Sequence, residues 1–345
     1  MIRRGFAALA APLLALSGAH ALAVDPAADA AAEPSWIAPL ASKSLLLDLA
    51  RAGSRVFAVG ERGHVLYSDD EGDTWTQVQV PVSANLTAVY FLDDRLGWAV
   101  GHDEVILRTV DGGMTWERVR FEPEAKQPLL DVWFADALRG LAIGAYGAIY
   151  ASEDGGATWA QVPFEPAPLE GAASPEPVDE GLYDEADVAI DFHLNAIVPG
   201  PGGRLYLAAE AGQLFRSEDL GATWKELPSP YDGSFYGLLP LDGETLLAYG
   251  LRGHVFRSED AGDTWTQIET GTVALLHSAT RTGPGAIVIA GTTGVLLTST
   301  DDGRSFGFSQ QDDRKGFSAV LAGRDGGLIV AGESGVRRLP LPAAR

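Results

Sequence analysis

Six aspartates recur along the chain in nearly the same company. They are Asp70 in SDDEGDTW (68–75), Asp111 in TVDGGMTW (109–116), Asp154 in SEDGGATW (152–159), Asp219 in SEDLGATW (217–224), Asp260 in SEDAGDTW (258–265) and Asp301 in STDDGRSF (299–306). Carboxylates grouped with hydroxyls are residue types that can hold a hard cation or a sugar. They are also the types that close a turn, because an aspartate accepts N–H bonds from its own backbone a few residues on. The company favours the second chemistry. Each phrase carries a glycine (Gly72, Gly113, Gly156, Gly221, Gly262, Gly303), suited to a backbone conformation that a Cβ would obstruct. Each ends in a Thr, or Ser305, that starts an outgoing strand, then an aromatic, Trp75, Trp116, Trp159, Trp224, Trp265 or Phe306, expected to pack between neighbouring layers.

Other chemistry is narrowed by composition. The 345 residues contain no Cys, which removes thiol nucleophiles, cysteine metal sites and disulfides. Any reaction would fall to carboxylates, His, Tyr or Ser. With 46% hydrophobic residues the chain can bury one large core or two ordinary ones, and 41 glycines point to many turns and short strands.

The elements that must position these residues follow from the spacing. Between equivalent aromatics the intervals are 41, 43, 65, 41 and 41 residues. A period near 40 built of strands is one four-stranded propeller blade. One unit reads LTAVYFL (86–92), GWAVGHD (97–103), EVILRTV (104–110) and TWERVRF (115–121), each short, rich in branched or aromatic residues and bounded by Gly, Asp or Asn. The eight-residue phrase joins the third and fourth strands. A seventh unit has three strands, FSAVLAG (317–323), GLIVAGE (327–333) and GVRRLPL (335–341). PSWIAPL (34–40) is expected to supply its fourth, with Trp36 in the place of the turn aromatic, since closing the ring removes sheet edges. The fold class is therefore all-β, a seven-bladed propeller of four-stranded blades closed by an N-terminal strand, forming one domain over 34–345.

In such a blade the turns after the first and third strands share one face, and those after the second and between blades share the other. Variable loops on a rigid ring are where binding concentrates. The opposite face should carry Arg62 and His64, Asp103 and Glu104, Tyr146, Glu210, Arg252 and His254, and Glu333 from second-to-third turns. It should also carry Tyr231, Phe235, Tyr236, Arg314 and Lys315 from connections between blades, together with 121–128. These are the candidate partner-binding residues. Arg62 with His64 and Arg252 with His254 occupy matching places in blades one and five.

The N-terminus, MIRRGFAALAAPLLALSGAHALA, has Arg3 and Arg4, an apolar run and small residues to Ala23, the order of an export signal. The apolar run is too short to span a bilayer. Cleavage near Ala23 leaves a linker at 24–33 and a chain expected to be a soluble monomer in a periplasm or equivalent space; the Arg pair faintly suggests twin-arginine export, the ordinary secretory route being the plainer reading. The formal charge of −22 excludes nucleic acid and anionic lipid as natural partners. The 65-residue interval holds an insertion at 165–191 with several prolines, many acids and no Lys or Arg, which cannot build its own core. Asp179, Glu180, Asp184, Glu185 and Asp187 could be weighed as a calcium site, but the spacing lacks a regular hard-cation loop and a solvated acidic segment is the better reading. No metal and no cofactor is expected.

The repeated phrase resembles the Asp-box, S-x-D-x-G-x-T-W, of many β-propellers. LGWAVGHDEVILRTVDGGMTW (96–116), echoed at 57–75 and 247–265, goes further and resembles the photosystem II stability/assembly-factor-like propellers, whose repeats read G-W-A-V-G, a Gly turn, an aliphatic strand and D-G-G-x-T-W. The similarity covers nearly the whole mature chain. It implies a protein that holds a membrane subunit or its precursor during assembly and, in non-photosynthetic bacteria, an exported accessory or scaffold serving a membrane complex. The resemblance also implies an Arg-rich partner surface, whereas this chain is acidic and has no Lys or Arg between Gly140 and Gly203. Glycoside hydrolysis is the competing class, since sialidases share the Asp-box. The three arginines and Tyr–Glu pair of a sialidase do not assemble by repeat position, and Asp103, Glu210 and Glu333 are the available carboxylates for a two-acid mechanism. Glycan binding without turnover would use Tyr146, Tyr231, Phe235 and Tyr236 as stacking faces, although the same aromatics serve equally as interface anchors. The reading adopted is a non-catalytic scaffold for a membrane-protein partner.

Overall fold

A computed structural model describes residues 33–169 and 192–342. The export signal, all but Glu33 of the linker at 24–33, and residues 170–191 with the five weighed acids lie outside the described residues. The described chain folds into seven antiparallel sheets whose strands follow sequence order, and the first strand of each contacts those of its ring neighbours. The protein is a seven-bladed, all-β propeller. The first strands, Leu46–Ala52, Leu86–Phe91, Leu129–Phe134, Leu194–Pro199, Phe235–Pro240, Leu276–Gly283 and Phe317–Ala322, line a central channel. Second strands such as Gly97–Gly101 are buried throughout because sheets cover both their faces, which is why GWAVG and LLAYG read as unbroken apolar runs. Outer strands such as Glu117–Arg120 meet water and alternate poorly. Among the described residues no helix is long and apolar enough to cross a membrane.

The repeated phrase folds the same way six times. In the first copy the Ser68 hydroxyl donates to Asp70 Oδ1 at 2.7 Å and accepts the Gly72 N–H at 2.7 Å, while Thr74 gives its N–H to Oδ1 and its hydroxyl to Oδ2 at 2.8 and 2.6 Å. The last copy keeps the pattern with Ser305 in place of Thr. The carboxylate is thus saturated by its own turn, as the sequence reading favoured. Gly113 shows why the glycine is needed: its φ is +78°, and a Cβ would lie 2.2 Å from the Phe57 ring of the preceding blade.

Closure is achieved differently from the expectation. The seventh sheet has three strands, Phe317–Ala322, Leu328–Gly332 and Gly335–Leu339, and residues 34–40 form no strand. The N-terminal segment instead lies in the wedge between blades one and seven. The Ser35 N–H donates to the Val80 carbonyl at 2.8 Å, the Gln77 side chain ties the Trp36 carbonyl and the Ala38 N–H, and Ala41 joins the core shared by the two blades. Trp36 is 80% exposed, so it does not stand in for a turn aromatic. Side-chain ties to Gln77 and Gln79 hold this segment, so it never enters a ladder that would aim the indole inward. Trp36→Ala is accordingly expected to change stability by less than about 0.5 kcal/mol in chemical denaturation, where a packed Trp would cost about 3–5 kcal/mol.

The described ends of the insertion are held at two different places. Its far end returns at Phe192 beside the second-to-third turn of blade three, where the Gly147 N–H donates to the Phe192 carbonyl at 3.1 Å. Its near end is held elsewhere: Ala167 makes a parallel bridge to Lys225 on the outer strand of blade four. The outer strand of blade three is only two residues long, Ala160–Gln161, and Phe164 continues onto blade four, packing on Trp224.

Candidate binding face and central channel

Five of the second-to-third turns are short 3₁₀ turns, and in these and in the turn of blade four the middle residue adopts a left-handed conformation. Arg62, Asp103, Tyr146, Ala211, Arg252 and Thr293 have φ between +54° and +59°. Glycine would be cheaper at such positions by roughly 1–2 kcal/mol each, so six non-glycine tips around one ring are a costly arrangement. The side chains of Arg62, Arg252 and Arg314 are exposed here, and none has an ion-pair partner among the described residues; Lys126, between blades two and three, is a further such cation, and exposed Lys315 lies beside Asp313. On the opposite face most arginines are matched: Arg51 with Glu71, Arg55 with Asp69, Arg204 with Glu218 and Glu244, Arg281 with Asp242, while Arg95 donates to the Val110 carbonyl. A chain with 47 acids against 25 bases therefore gathers unpaired cations on the loop face, on blades five, seven and one and the connections beside them.

Several candidates meet in small clusters. Tyr146, 53% exposed, stands edge-on to His193 with centroids 5.0 Å apart, and Glu210 accepts the His193 N–H at 3.1 Å. Tyr231 lies 4.4 Å from the His254 ring and stacks on Phe256. Glu333 is exposed on blade seven, and burial pushes the Asp103 carboxyl above its ordinary range. Asp103, Glu210 and Glu333 belong to blades two, four and seven, so the structure does not gather them into one acid pair.

Three candidates are not on the surface. His64 is 3% exposed, and burial lowers its pKa. Phe235 is 1% exposed beneath Tyr231. Glu104 is 2% exposed: its φ of +49° turns it inward, where Oε2 takes an ion pair from Arg120 and the Tyr150 hydroxyl at 2.9 Å. The left-handed backbone conformation reverses the side chain.

The channel holds residues the sequence reading missed. Every first strand has a register shift at its second residue, and the seven extra residues, Leu47, Thr87, Leu130, Asn195, Tyr236, His277 and Ser318, line a cavity of about 610 Å³. Glycine ends the second strand opposite the bulge in six blades, and Ala209 holds that place in blade four. A Cβ on Gly101 would come within 2.0 Å of the Asn85 carbonyl, and the same close approach recurs at Gly60, Gly144, Gly250, Gly291 and Gly332. The layer lies next to the loop face, because Leu46 and its equivalents pair with the last residue of the second strand. Of the seven only Tyr236 was singled out; it meets His277 edge-on at 5.6 Å.

In this layer and one residue deeper, polar side chains tie successive blades from the first to the seventh. Asp48 accepts the Val89 N–H at 2.8 Å, Asp131 accepts that of Ile197 at 2.9 Å, and Ser278 accepts that of Val320 at 3.2 Å. Thr87 donates to the Leu129 carbonyl at 2.6 Å and Asn195 to that of Phe235 at 2.8 Å. In blade five the space over Gly237 is filled by Tyr249, whose hydroxyl meets the Ala279 N–H. Six junctions are tied in this way, and no such tie joins blades seven and one among the described residues. Burial pushes Asp48 up to about 6 and Asp131 to about 7, against the backbone bonds that lower them. A sequence signal existed, since both interrupt apolar strands, LLLDLA and LLDVWF, at the same register.

Comparison with known proteins places this geometry. A 43-residue stretch is 40% identical to photosystem II assembly protein Ycf48 of Thermosynechococcus vestitus, covering 12% of this chain and 12% of that protein. A solved structure described as YCF48 bound to D1 peptide superposes with a TM-score of 0.64 at 18% identity, over 87% of this chain and 94% of the other. Streptogramin B lyase, an enzyme by its name, superposes with a TM-score of 0.67 at 14% identity, over 87% and 94%, so the shared fold alone decides no chemistry. The model of the photosynthesis system II assembly factor YCF48 family matches residues 5–110, 73–174 and 115–288, and with most of its length so covered the chain belongs to that family.

Proposed function

We propose that this protein is an exported, non-catalytic scaffold or assembly factor that binds a membrane-protein partner through the loop face opposite the repeated turns. The observation that carries the reading is the placement of cations: Arg62, Arg252 and Arg314 stand exposed and without an ion-pair partner on one face of a strongly acidic ring, whereas Arg51, Arg55, Arg204 and Arg281 on the other face are held in ion pairs. Unpaired guanidinium groups at rigid, left-handed turn tips are already positioned for carboxylates of a partner, with less entropy to lose on binding. Family membership supports the assembly role, and the similar structure described as bound to a D1 peptide supports a segment of a membrane subunit as the ligand. Export rests on the N-terminal pattern.

The test is in-cell crosslinking of the tagged protein followed by mass spectrometry, with the triple variant Arg62→Glu, Arg252→Glu, Arg314→Glu alongside. One integral membrane complex should be captured, and the variant should lose at least about tenfold of the yield while melting at the wild-type temperature, because like charges then face each other. Equal capture by the variant, or nothing enriched above a control carrying the same export signal, overturns the reading.

A further inference from the structure

Two seams of the ring are filled by stacked aromatics beneath the repeated turns. Phe57 of blade one lies on Phe91 of blade two with centroids 4.5 Å apart, and Trp98 of blade two lies on Phe134 of blade three at 3.4 Å. These rings press on the turn glycines, since a Cβ on Gly113 would meet Phe57 and one on Gly156 would meet Trp98. Between blades three and four the same register places hold Leu141 and Pro199, and the outer strand of blade three ends at Gln161. That seam is left with a cavity of about 390 Å³ opening on the face of the repeated turns, between Glu153 of one turn and Leu220 of the next.

The floor is apolar: Trp133, Leu141, Ala151 and Val162 belong to or pack on the core shared by blades three and four. Leu220 forms the lip. It is the fourth residue of its turn, held left-handed at φ +60° and exposed, where the other copies carry Gly112, Gly155, Ala261 or the acids Glu71 and Asp302. An exposed leucine in a conformation that favours glycine is costly twice, in backbone strain and in apolar surface left in water. Leu138, next to the lining Arg139, and Val110 and Met114 of blade two add exposed apolar side chains to the same face. The second and sixth residues of the turn are exposed in every copy. They are Asp69 and Asp73 in blade one and Glu259 and Asp263 in blade five, but Val110 and Met114 in blade two, and the sixth is Ala157 or Ala222 in blades three and four. At the mouth Arg139 is paired with Asp136, whereas Glu153 is exposed with no ion-pair partner among the described residues.

We infer that this cavity is a docking site for a segment of a partner polypeptide, which inserts one aromatic side chain and places a basic residue beside it. The shape argument is the missing ring pair: an incoming ring completes this seam as Phe91 and Phe134 complete theirs. An aromatic anchor seated in an apolar pocket, with weaker apolar contacts around it to exclude water, carries most of the energy of such an interface. The exposed Leu138, Val110 and Met114 reach beyond the cavity, a wider surface than a free aromatic molecule covers, which favours a polypeptide. The charge argument is Glu153: an uncompensated carboxylate at the rim of a chain with formal charge −22 favours Lys or Arg next to the anchor and disfavours an acid. The site lies on the face opposite Arg62, Arg252 and Arg314, so the two faces of the ring select segments of opposite charge.

The probe is the capped tripeptide Lys-Trp-Lys carrying 5-fluorotryptophan, titrated with the purified protein in about 0.15 M salt, where long-range attraction is screened, and followed by fluorine NMR line width. Saturable one-to-one binding is expected. Lys-Ala-Lys and Glu-Trp-Glu should each compete about tenfold more weakly or worse, the first for want of the anchor and the second for want of the charge. Glu153→Lys should weaken Lys-Trp-Lys and narrow or reverse its lead over Glu-Trp-Glu. Leu220→Gly should weaken Lys-Trp-Lys while leaving the melting temperature close to that of the wild type, because the leucine is exposed and glycine accepts the left-handed turn without strain. Equal affinity for Lys-Ala-Lys and Lys-Trp-Lys, absence of saturation, or unchanged affinity in either variant overturns the proposal. The loop-face charge reversals should leave the affinity for Lys-Trp-Lys unchanged, so this proposal and the loop-face reading fail separately.

Discussion

Glu104→Ala is expected to destabilise the protein by about 3–5 kcal/mol in urea or thermal denaturation, the range for breaking a buried ion pair by removing one partner. Glu104 is almost fully enclosed, and its Oε2 takes Arg120 of the same blade's outer strand and the hydroxyl of Tyr150 from blade three. Arg120 also lies 4.3 Å above the Tyr150 ring. Truncation therefore strands a guanidinium and a hydroxyl at the junction of two blades, and each loses its acceptor. The double variant Glu104→Met, Arg120→Met should recover most of the loss, because two apolar groups of similar length leave no charge to desolvate. A loss below about 1 kcal/mol for Glu104→Ala would mean that the pair is not enclosed as described and would return Glu104 to the binding surface. Partner capture assayed well below the melting temperature should be unaffected, in contrast to the loop-face arginines.

Glu104 also shows where sequence reading stops. The repeated phrase was legible because its hydrogen bonds are local: Ser68, Asp70, Gly72 and Thr74 satisfy one another within seven residues, so the same letters must return wherever the same turn returns. Period, blade number and strand order follow from that repetition. The inward rotation of Glu104 depends on a left-handed φ and on Tyr150, 46 residues away, and neither is written in HDE. The channel was hidden for a different reason. A strand is expected to alternate with period two, and the bulge at Leu47, Thr87 and their equivalents breaks the alternation at the place where side chains turn toward the axis. Trp36 was misplaced because a Trp near a strand-like heptad matches the turn aromatic in composition, whereas its position is set by Gln77 and Gln79 reaching across from blade one.

Stability should peak in mildly acidic solution and fall toward neutral pH, because two sets of aspartates pull in opposite directions. Thr74 and Thr158 hydroxyls and N–H groups hold Asp70 and Asp154 down at about 2. At Asp111, Asp219, Asp260 and Asp301 burial pushes upward, but the summed bonds from Thr or Ser win and the pKa stays low. A lowered acid stabilises above its unfolded value near 4, and the contribution is lost as pH falls through the folded value. Asp48 and Asp131 are raised to about 6 and about 7 by burial, so their sign is reversed. The folded protein binds more protons than the unfolded chain between about pH 4 and 7, and this stability, complete below about pH 4, is lost as pH rises through the folded values. Both carboxylates keep some surface open to the channel. Water there relieves part of the burial, which holds the expected loss between pH 4 and 8 to on the order of 2–3 kcal/mol. The groups facing the same channel include Tyr236, Tyr249 and His277; burial lowers His277, whose stabilising contribution rises with pH through about 6.5 and opposes the aspartates. The double variant Asp48→Asn, Asp131→Asn separates these terms. Asn keeps an oxygen for the Val89 and Ile197 N–H groups but cannot ionise, so its melting temperature should hold or rise between pH 5 and 8 while that of the wild type falls. Parallel wild-type and variant profiles over that range would show that the two carboxylates are ionised in the folded channel at neutral pH and that the inter-blade ties are charged.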